Sequence, residues 1–494
     1  MKNFRKTLTI LGMTATLGGL CLSAHAQTEE SGVIFLESAQ ATEADVDAPE
    51  IILDEETIEG EPAEPTAAPS AVEFYNEAVD LFNDEDYEGA IANFTAAVNV
   101  DPSYEEAYLF RGYAYEQVGD PEAALVSYTQ SIEANPNYAL GYLARGVLYY
   151  DLDEVPRALA DFDDALLIDP TLVEAHVYRG IIENDYGNTE VALEEFNNAV
   201  RVGPEYAPAY LHRGLTLSDL GNTEAAINDF TAATERQDNY AEAYLGRGKA
   251  YYTLGAYQPA LSDLNTAVRL DSEDIEGYYN RSFVLTALGR QNAAVADLGR
   301  VIELDPTYID AYLARGKIYA DAGNYDAAIV DFDNALKLDP QYSEAYRRRA
   351  TARLSAADEL GALADYTAAI NIDPSDFKAY KGRGDANAVA GDLQGAITDY
   401  TTAIEINGLY MEAYAARGRT RYEAGNPGGA YEDLSRVIAD DSLNPDLFYY
   451  RGLSRVRLGD IVGARSDLQK AGELYLDTDE PEGYRVVIEI LSRL

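Results

Sequence analysis

An arginine recurs at an unbroken spacing of 34 residues, and an acidic residue follows most of these arginines 16 residues later. The arginines are Arg111, Arg145, Arg179, Arg213, Arg247, Arg281, Arg315, Arg349, Arg383, Arg417 and Arg451. The acids are Asp161, Glu195, Asp229, Asp263, Asp297, Asp331, Asp365, Asp399, Asp433 and Asp467. A guanidinium can bind the phosphate or carboxylate of a ligand, or it can pair with a carboxylate of its own chain. The arginines are therefore either a binding ladder or a set of structural ion pairs.

The residues around each arginine repeat with the same period. When the arginine is placed at position 7, twelve consecutive repeats run from 71–104 to 445–478, the first with Glu77 at that position. Aromatic, small and apolar residues recur at positions 4, 8 and 11 and at positions 20, 24, 27 and 28, a spacing typical of two amphipathic helices. Position 20 is alanine in every repeat, which indicates two helix backbones in close approach. Glycine at position 15, as in Gly119, predicts the turn between the helices.

This geometry favours the structural role for the arginines. In an antiparallel helix pair that turns at position 15, positions 7 and 23 lie at the same level. The sequence therefore predicts an ion pair between the two helices of a repeat, for example between Arg145 and Asp161. The second repeat departs from this pattern, because Arg111 faces Ser127. A ligand-binding arginine ladder remains the alternative.

The pattern as a whole resembles the tetratricopeptide repeat (TPR) family. In the second repeat, the family's positions 4, 8, 11, 20, 24, 27 and 32 are occupied by Tyr108, Gly112, Tyr115, Ala124, Tyr128, Ser131 and Pro136. The resemblance implies an all-α fold, a TPR α-solenoid that forms a right-handed superhelix of about twelve helix-turn-helix repeats over 72–478. The segment 479–494 is predicted to be a C-terminal capping helix. Its apolar face is predicted to carry Tyr484, Val487, Ile488 and Leu491.

Two segments precede the repeats. Residues 1–26 begin with basic residues, continue with an apolar stretch and end in Ala-His-Ala, a layout typical of a secretory signal peptide. The apolar stretch is shorter than the ~20 residues that a spanning helix needs, so we expect cleavage rather than stable membrane insertion, with an uncleaved anchor as the alternative. A periplasmic or extracellular location follows from this prediction. Residues 27–71 are rich in acid and proline and contain no lysine or arginine, which predicts a disordered acidic tail.

The composition argues against most enzymatic and nucleic-acid functions. The formal net charge of −49 disfavours nucleic acid as a partner, because phosphate binding needs clustered lysine and arginine. Cys21 is the single cysteine and lies in the predicted signal peptide, and His176 and His212 are the histidines after it. These residues suggest neither a catalytic triad nor a zinc site, and no phosphate-binding loop is present in the sequence. We therefore expect a non-enzymatic protein without a cofactor or metal.

The resemblance also implies where partners bind. In TPR proteins the concave groove is lined by positions 2, 5, 9, 12 and 13 of the first helix. Positions 5 and 9 of the second to fifth repeats and position 5 of the sixth are apolar or aromatic, which predicts a groove for an amphipathic helix or an extended peptide. These residues, the predicted apolar groove, are Leu109, Tyr113, Leu143, Val147, Val177, Ile181, Leu211, Leu215 and Leu245. Packing between neighbouring repeats is the alternative role for part of this stripe.

A second group of groove residues, in the ninth to eleventh repeats, is basic. These residues, the predicted basic groove, are Arg347, Arg348, Lys378, Lys381 and Arg419. Local positive potential on an acidic protein attracts acidic peptides. The protein's own tail at 27–71 is one such peptide, with a flexible reach of roughly 35 to 40 Å. Charge balance against neighbouring acids such as Asp385 and Glu412 is the alternative.

Together these features predict an exported scaffold that binds protein or peptide partners in its concave groove. The absence of a catalytic set in the sequence supports a non-enzymatic role, although fold alone never establishes function. Carbohydrate binding is the alternative function, because tyrosines in a groove can stack on sugar rings. The groove tyrosines that would do so are Tyr75, Tyr113, Tyr150, Tyr252, Tyr279, Tyr422 and Tyr449.

Overall fold

The structure, a computed structural model, describes residues 69–440 and 443–494 of the chain. All regular secondary structure in these two ranges is α-helical. In chain order the helices are α1 (Ala71–Asn83), α2 (Tyr87–Val100), α3 (Glu105–Gln117), α4 (Pro121–Ala134), α5 (Ala139–Asp151), α6 (Val155–Ile168), α7 (Val173–Asp185), α8 (Thr189–Val202), α9 (Ala207–Asp219), α10 (Thr223–Arg236), α11 (Ala241–Thr253), α12 (Tyr257–Leu270), α13 (Ile275–Ala287), α14 (Gln291–Leu304), α15 (Ile309–Asp321), α16 (Tyr325–Leu338), α17 (Ser343–Ser355), α18 (Glu359–Ile372), α19 (Phe377–Val389), α20 (Leu393–Ile406), α21 (Met411–Glu423), α22 (Pro427–Asp440), α23 (Pro445–Leu458), α24 (Ile461–Asp477) and α25 (Pro481–Leu491). None of these helices is long and apolar enough to cross a membrane.

The helices alternate between two positions of the repeat. The odd-numbered helices from α1 to α23 are the first helices of the repeats, and the even-numbered helices from α2 to α24 are the second helices. The chain divides into an N-terminal unit that ends at Ala250 and a C-terminal unit, Tyr251–Leu494. Within each unit, successive helices pack against one another. The predicted all-α class is confirmed for the part of the chain that the structure describes.

The first helix begins where the predicted tail ends. Ser70 caps α1: its Oγ accepts a hydrogen bond from the backbone N–H of Glu73 at 3.2 Å, and the Glu73 carboxylate accepts one from the backbone N–H of Ser70 at 2.6 Å. This reciprocal capping box satisfies two N–H groups that a helix terminus leaves unpaired. Ala71, which the sequence analysis placed in the tail, is therefore the first residue of α1. The predicted signal peptide at 1–26 and the predicted tail up to residue 68 lie outside the described residues.

A residue in the left-handed conformation makes the turn between the two helices of a repeat. At position 15, nine glycines have φ between +72° and +84°. They are Gly119, Gly187, Gly221, Gly255, Gly289, Gly323, Gly391, Gly425 and Gly459. In the three remaining repeats Glu85, Asp153 and Ala357 take this position, also with positive φ. Glycine adopts this conformation without the Cβ strain of other residues, so the prediction of a turn at position 15 is confirmed.

Small residues bring the two helices of a repeat into close contact. The alanine at position 20 is completely buried in every repeat, as the sequence predicts. The glycine at position 8 lies against the ring at position 24. A Cβ atom on Gly146 would lie 2.8 Å from Phe162 Cε1, and one on Gly316 would lie 2.7 Å from Phe332 Cε1. At Gly146 and Gly316, glycine therefore lets the two backbones approach around an aromatic ring that an added Cβ would displace.

The helix α25 covers the end of the last repeat. Val487 is completely buried, and Tyr484 and Leu491 are half-buried against the same apolar cluster. Ile488, which the sequence analysis placed on this face, is 44% exposed, and Ile490 packs against the cluster instead. The buried face of α25 is therefore rotated relative to the predicted one. The side chains that become buried are those that pack against the cluster containing Leu474 and Tyr475 of α24.

Two glycine-to-alanine substitutions separate helix propensity from helix packing. Alanine favours a helix interior by up to about 1 kcal/mol over glycine, so Gly299→Ala, whose new Cβ would come no closer than 3.7 Å to Arg315 Nη1, is expected to stabilise the protein. Gly316→Ala is expected to destabilise it by about 1 kcal/mol or more, because the methyl group collides with Phe332. Chemical denaturation of both variants measures the difference. Equal shifts in the unfolding midpoint would contradict the packing account.

Candidate functional site

The arginine at position 7 binds the acid at position 23 of the same repeat. Nε and Nη2 of Arg145 each donate a hydrogen bond of 2.8 Å to the carboxylate of Asp161. Arg315 makes the same contacts to Asp331 at 2.9 and 2.7 Å. The two-bond contact also joins Arg213 to Asp229, Arg281 to Asp297, Arg349 to Asp365, Arg383 to Asp399, Arg417 to Asp433 and Arg451 to Asp467. The predicted structural pairing is confirmed for these repeats.

In two early repeats the arginine contacts position 23 without the two-bond geometry. Arg111, which faces Ser127 as expected, donates from Nε to the Ser127 hydroxyl at 3.2 Å. Arg179 lies with Nη2 3.3 Å from a carboxylate oxygen of Glu195, and the other oxygen of Glu195 lies 2.7 Å from Nδ1 of His176. His176 is 8% exposed and takes the place of the usual tyrosine in the core, so its polar ring is satisfied by the same acid.

The remaining donors of the guanidinium reach the second helix of the preceding repeat. Nη1 of Arg145 donates to Thr129 at 3.2 Å, and Nη1 of Arg213 donates to Asn197 at 2.9 Å. One arginine thus connects three helices. Because these donors are occupied inside the protein, the geometry disfavours the alternative of a ligand-binding arginine ladder.

Most of the predicted apolar groove is part of the core. Six of its nine residues are buried, each with at most 8% of its surface exposed; they are Leu109, Tyr113, Leu143, Val147, Val177 and Leu211. Ile181, Leu215 and Leu245 are half-buried. The buried side chains pack between neighbouring repeats, as the alternative role for this stripe requires. Partner binding by the nine residues stays a prediction, and it rests on the three that a partner can reach.

The predicted basic groove surrounds acidic side chains. Nε and Nη2 of Arg348 donate to one oxygen of Glu344 at 2.9 and 2.6 Å, and Nε of Arg347 donates to Asp376 at 2.9 Å. Burial acts to raise the pKa of Glu344, but hydrogen bonds from Arg348 and the charges of Arg348, Arg347 and Lys378 together lower it. Three of the five predicted cations therefore act on one carboxylate.

The other two predicted cations are paired on their own helices. Lys381 Nζ lies 2.7 Å from Asp385, which confirms the charge-balance alternative for this residue. Arg419 donates to Glu423 at 3.1 Å and lies over the ring of Tyr450 at 5.7 Å. The sequence analysis named Glu412 as a balancing acid, but the partner of Arg419 is Glu423, four residues further along the same helix.

A cavity of about 420 Å³ lies beside Arg347 and Arg348, where the first helices α15 and α17 meet over α16. Its walls are Lys317, Ala320, Asp321, Tyr325, Phe332, Arg347, Arg348, Thr351, Ala352 and Ser355. The Phe332 ring and the two alanines provide an apolar surface, and the arginines provide positive charge. Arg348 contacts Glu344 through Nε and Nη2, so a guanidinium with five donors retains capacity for a second carboxylate.

Family models match at several places along the chain. Tetratricopeptide repeat models match residues 105–138, 211–275, 309–342, 347–408 and 415–475, and a TPR repeat model matches 80–119 and 284–323. Together these matches cover more than half of the sequence. The chain belongs to the tetratricopeptide repeat family. No curated protein sequence matches it.

Solved TPR structures resemble parts of the chain. YrrB, described as a TPR protein with an unusual peptide-binding site, is 26% identical over 37% of this chain and 95% of its own, with a TM-score of 0.34. A TPR protein from Parabacteroides merdae is 20% identical over 51% of this chain and 99% of its own, with a TM-score of 0.43. Yeast Tom70 is 15% identical over 86% of this chain and 96% of its own, with a TM-score of 0.40.

Part of the cavity lining in this TPR protein was not predicted from the sequence. Lys317 and Thr351 occupy position 9 of their repeats, and Asp321 and Ser355 occupy position 13, all of them groove positions of the family. Their polarity was available as a signal, but an isolated polar residue at one groove position is too common to single out. The cavity depends on the small Ala320 and Ala352, whose significance appears only when α15 and α17 are placed together.

The predicted groove tyrosines are largely engaged with other rings. Tyr113 and Tyr150 are buried, with ring centroids 5.6 Å from Tyr128 and 5.8 Å from Tyr178. The other five tyrosines of the set contact aromatic or arginine side chains; they are Tyr75, Tyr252, Tyr279, Tyr422 and Tyr449. Carbohydrate stacking on these tyrosines stays a prediction.

A half-buried carboxylate in the N-terminal unit was also not predicted from the sequence. Glu116, at position 12 of α3, accepts a hydrogen bond from the hydroxyl of Tyr128. Burial, together with the charge of Asp151, outweighs this hydrogen bond and raises the pKa of Glu116 to about 7. Position 12 is a groove position of the TPR family, so an acid there was a usable signal.

Removal of one structural arginine tests the pairing energetically. Arg315→Met leaves Asp331, whose side chain is 3% exposed, without its ionic partner, and is expected to cost about 3 to 5 kcal/mol of unfolding free energy. The control is Arg300→Met, which breaks an exposed pair with Glu303 and is expected to cost about 0 to 1 kcal/mol. Denaturant titration measures both. Similar costs for the two variants would contradict the structural role of position 7.

The raised pKa of Glu116 predicts a pH dependence of stability. The folded chain keeps a proton on Glu116 that the unfolded chain gives up above its ordinary pKa, so the contribution of Glu116 to stability falls as the pH rises from about 4.5 to about 7. Glu116→Gln does not titrate. Its stability relative to wild type is therefore expected to improve by up to about 3 kcal/mol between pH 4 and pH 8. The exposed Glu190→Gln serves as a control, and the same offset at both pH values would contradict this account.

Proposed function

We propose that this protein is an exported, non-enzymatic scaffold that binds acidic peptide segments of protein partners. TPR repeats typically mediate contacts between proteins and are generally without enzymatic activity. The observation that carries the proposal is the cavity between α15 and α17, which combines Arg347 and Arg348 with the apolar surface of Phe332. The signal-peptide layout of residues 1–26 supports export to the periplasm or outside the cell.

The cavity suits a peptide in which an apolar side chain lies between acids. The cavity volume of about 420 Å³ lies within the range of roughly 300 to 1,000 Å³ that is typical of ligand pockets. A cavity of this size accommodates one large side chain or a few small ones. Carboxylates on either side of that side chain can reach Arg347 and Arg348, which are 22% and 29% exposed. Bidentate pairing of arginine with carboxylate adds orientation as well as energy.

The two acids that pair with Arg347 and Arg348 make the site selective for ligand geometry as well as for negative charge. Glu344 and Asp376 hold the two guanidinium groups in place, and they also repel a ligand that brings charge without the correct geometry. A partner carboxylate must therefore approach along the donors that these acids leave open. Exposed cations outside the cavity, such as Arg419 with its side chain 60% exposed, are expected to act mainly on the association rate.

The protein's own N-terminal segment has the required pattern. Residues 50–56 read Glu-Ile-Ile-Leu-Asp-Glu-Glu, an apolar group with acids on both sides. The segment is tethered to the repeats, so in this proposal it competes with partners at an effective concentration that linker length and span set. We include it as an autoinhibitory occupant of the same cavity.

A peptide of residues 43–64, labelled with a fluorophore, tests the site by fluorescence anisotropy on the full chain. Arg347→Ser/Arg348→Ser is expected to weaken binding about tenfold or more, because a charge pair at the centre of an interface is lost. The matched control Arg290→Ser/Arg300→Ser removes the same charge from α14 and the turn before it and is expected to change affinity less than about threefold. Equal losses of peptide affinity in the two double variants would mean that net charge alone attracts the peptide, and would contradict binding in the cavity.

The same assay decides the role of the tail. A chain lacking residues 27–68 is expected to bind the added peptide more tightly at low salt, because the tethered competitor is gone. Unchanged affinity would remove the tail as an occupant and leave the acidic-peptide site standing. Circular dichroism of each variant excludes unfolding as the cause of a loss.

A further inference from the structure

The first helices of the last two repeats carry a compact group of tyrosines. These helices, α21 and α23, contact each other directly. Tyr422 of α21 and Tyr449 of α23 occupy groove positions 12 and 5, and Tyr450 contacts both of them. The ring centroid of Tyr450 lies 5.9 Å from that of Tyr422 and 5.2 Å from that of Tyr449, with interplanar angles of 65° and 77°. The rings meet edge to face, so together they form one continuous aromatic surface across two repeats.

Two exposed arginines border this aromatic surface. Arg457, at groove position 13, lies with its guanidinium 4.0 Å from the ring centroid of Tyr422 and donates from Nη1 to the backbone carbonyl of Tyr422 at 2.9 Å. Arg419, at groove position 9, lies 5.7 Å from the ring centroid of Tyr450 and donates from Nε to Glu423 at 3.1 Å. Each guanidinium has five N–H donors, so both retain donors for an anionic ligand.

The phenol hydroxyls of this surface are also available to a ligand. Within residues 69–440 and 443–494, those of Tyr422, Tyr449 and Tyr450 form no hydrogen bond with the protein, and none of them is shielded from solvent. The acid on the same face, Asp446, accepts its hydrogen bond from the hydroxyl of Tyr475 instead. The three tyrosines therefore combine half-buried rings with hydroxyl groups that a ligand can reach.

Aromatic rings with free hydroxyls suit an extended, proline-containing chain. A polyproline II chain has no internal hydrogen bonds, so its backbone carbonyl groups accept hydrogen bonds from outside donors such as phenol hydroxyls. Grooves lined by aromatic residues recur as binding sites for such chains, because the chain is already ordered before it binds. Tyrosine and arginine are also enriched among the residues that carry most of the binding energy at protein interfaces.

The arginines add a requirement for acid at a defined spacing. A polyproline II chain repeats every three residues and advances about 3.1 Å per residue, so acids at every third residue lie on one side of it, about 9 Å apart. Prolines that follow these acids lie on an adjacent side. One side of the ligand then meets the tyrosines while the other meets the arginines. The triplet Glu-Pro-Ala, which occurs in this chain at residues 61–63 and is followed by Glu64-Pro65, has both features.

We propose that the tyrosine–arginine groove, defined as Arg419, Tyr422, Tyr449, Tyr450 and Arg457, binds an acidic segment of a partner protein that has proline at every third residue. The proposal rests on the scaffold function above and adds a second site with its own sequence preference. Carbohydrate is the less favoured occupant, because sugar stacking needs an open ring face and guanidinium groups already lie over two of the three rings.

Three labelled peptides test this preference by fluorescence anisotropy on the full chain. The probe has four Glu-Pro-Ala triplets, and its comparison peptides have four Glu-Gly-Ala or four Gln-Pro-Ala triplets. The probe is expected to bind about fivefold or more tightly than either, because glycine removes the ordered conformation and glutamine removes the charge. Equal affinity for the Glu-Gly-Ala peptide would mean attraction to charge alone, and would overturn the proposal.

A pair of double variants tests the position of the charge. Arg419→Gln/Arg457→Gln is expected to weaken binding of the Glu-Pro-Ala peptide about tenfold or more. The matched control, Arg465→Gln/Arg485→Gln, removes two exposed cations from α24 and α25 of the same unit and is expected to retain wild-type affinity within about threefold. Circular dichroism confirms that both variants fold. Equal losses in the two variants, or no loss in either, would reject the groove.

Tyr422→Phe/Tyr449→Phe tests the hydroxyl groups while the rings remain. This variant is expected to bind the Glu-Pro-Ala peptide about threefold or more weakly than wild type, because two donors to the peptide backbone are lost. Unchanged affinity would contradict the binding of the peptide backbone by these tyrosines. Displacement of the bound peptide by cellohexaose would assign the groove to carbohydrate and would also overturn the proposal.

The cavity variant separates this groove from the site proposed above. Arg347→Ser/Arg348→Ser is expected to lose the peptide of residues 43–64 and to keep the Glu-Pro-Ala peptide. Loss of the Glu-Pro-Ala peptide in this variant would place that peptide in the cavity and refute the groove. If the wild-type chain binds the Glu-Pro-Ala peptide but not the peptide of residues 43–64, the cavity proposal fails and the groove proposal stands.

Discussion

The contact between arginine at position 7 and the acid at position 23 is the interaction on which the rest of the structure depends. A helix pair of one repeat cannot bury its apolar face alone, so stability comes from contacts within and between repeats. The arginine provides both kinds of contact, because it binds the second helix of its own repeat and donates to the second helix of the preceding one. In Arg145 these partners are Asp161 and Thr129.

This arrangement has a consequence for function. The guanidinium groups are directed toward the second helices, so the most regular feature of the sequence does not shape the binding face. The residues that vary between repeats determine that face. In the C-terminal unit they place Arg347 and Arg348 beside a cavity with an apolar wall. In the N-terminal unit they place Glu116 at a groove position, where it accepts a hydrogen bond from Tyr128.

Much of the fold follows from the sequence by simple geometry. The pairing of Arg145 with Asp161 was predictable because two positions equidistant from a turn lie level in an antiparallel helix pair. The turn itself was predictable from glycine, which adopts positive φ without strain. The capping position of α25 was predictable, but the exposure of Ile488 was not, because it depends on how α25 is rotated against its neighbour.

The candidate site was less predictable, and the reason is physical. Leu109 and Leu143 occupy groove positions of the family, yet both are buried, because a side chain at position 5 can enter the space between repeats. Whether it does so depends on the size of its neighbours in the next repeat. Glu344 similarly gathers Arg347, Arg348 and Lys378 through side-chain conformations that a linear pattern does not contain.

Hydrogen–deuterium exchange of the full chain, measured by mass spectrometry with and without the acidic peptide of residues 43–64, tests the central claim most directly. The account predicts that this peptide protects α15 and α17. The second helices, which carry the acids of position 23, should show no peptide-specific protection. Protection centred on the second helices would mean that the arginine and aspartate residues bind ligands, and would contradict the account.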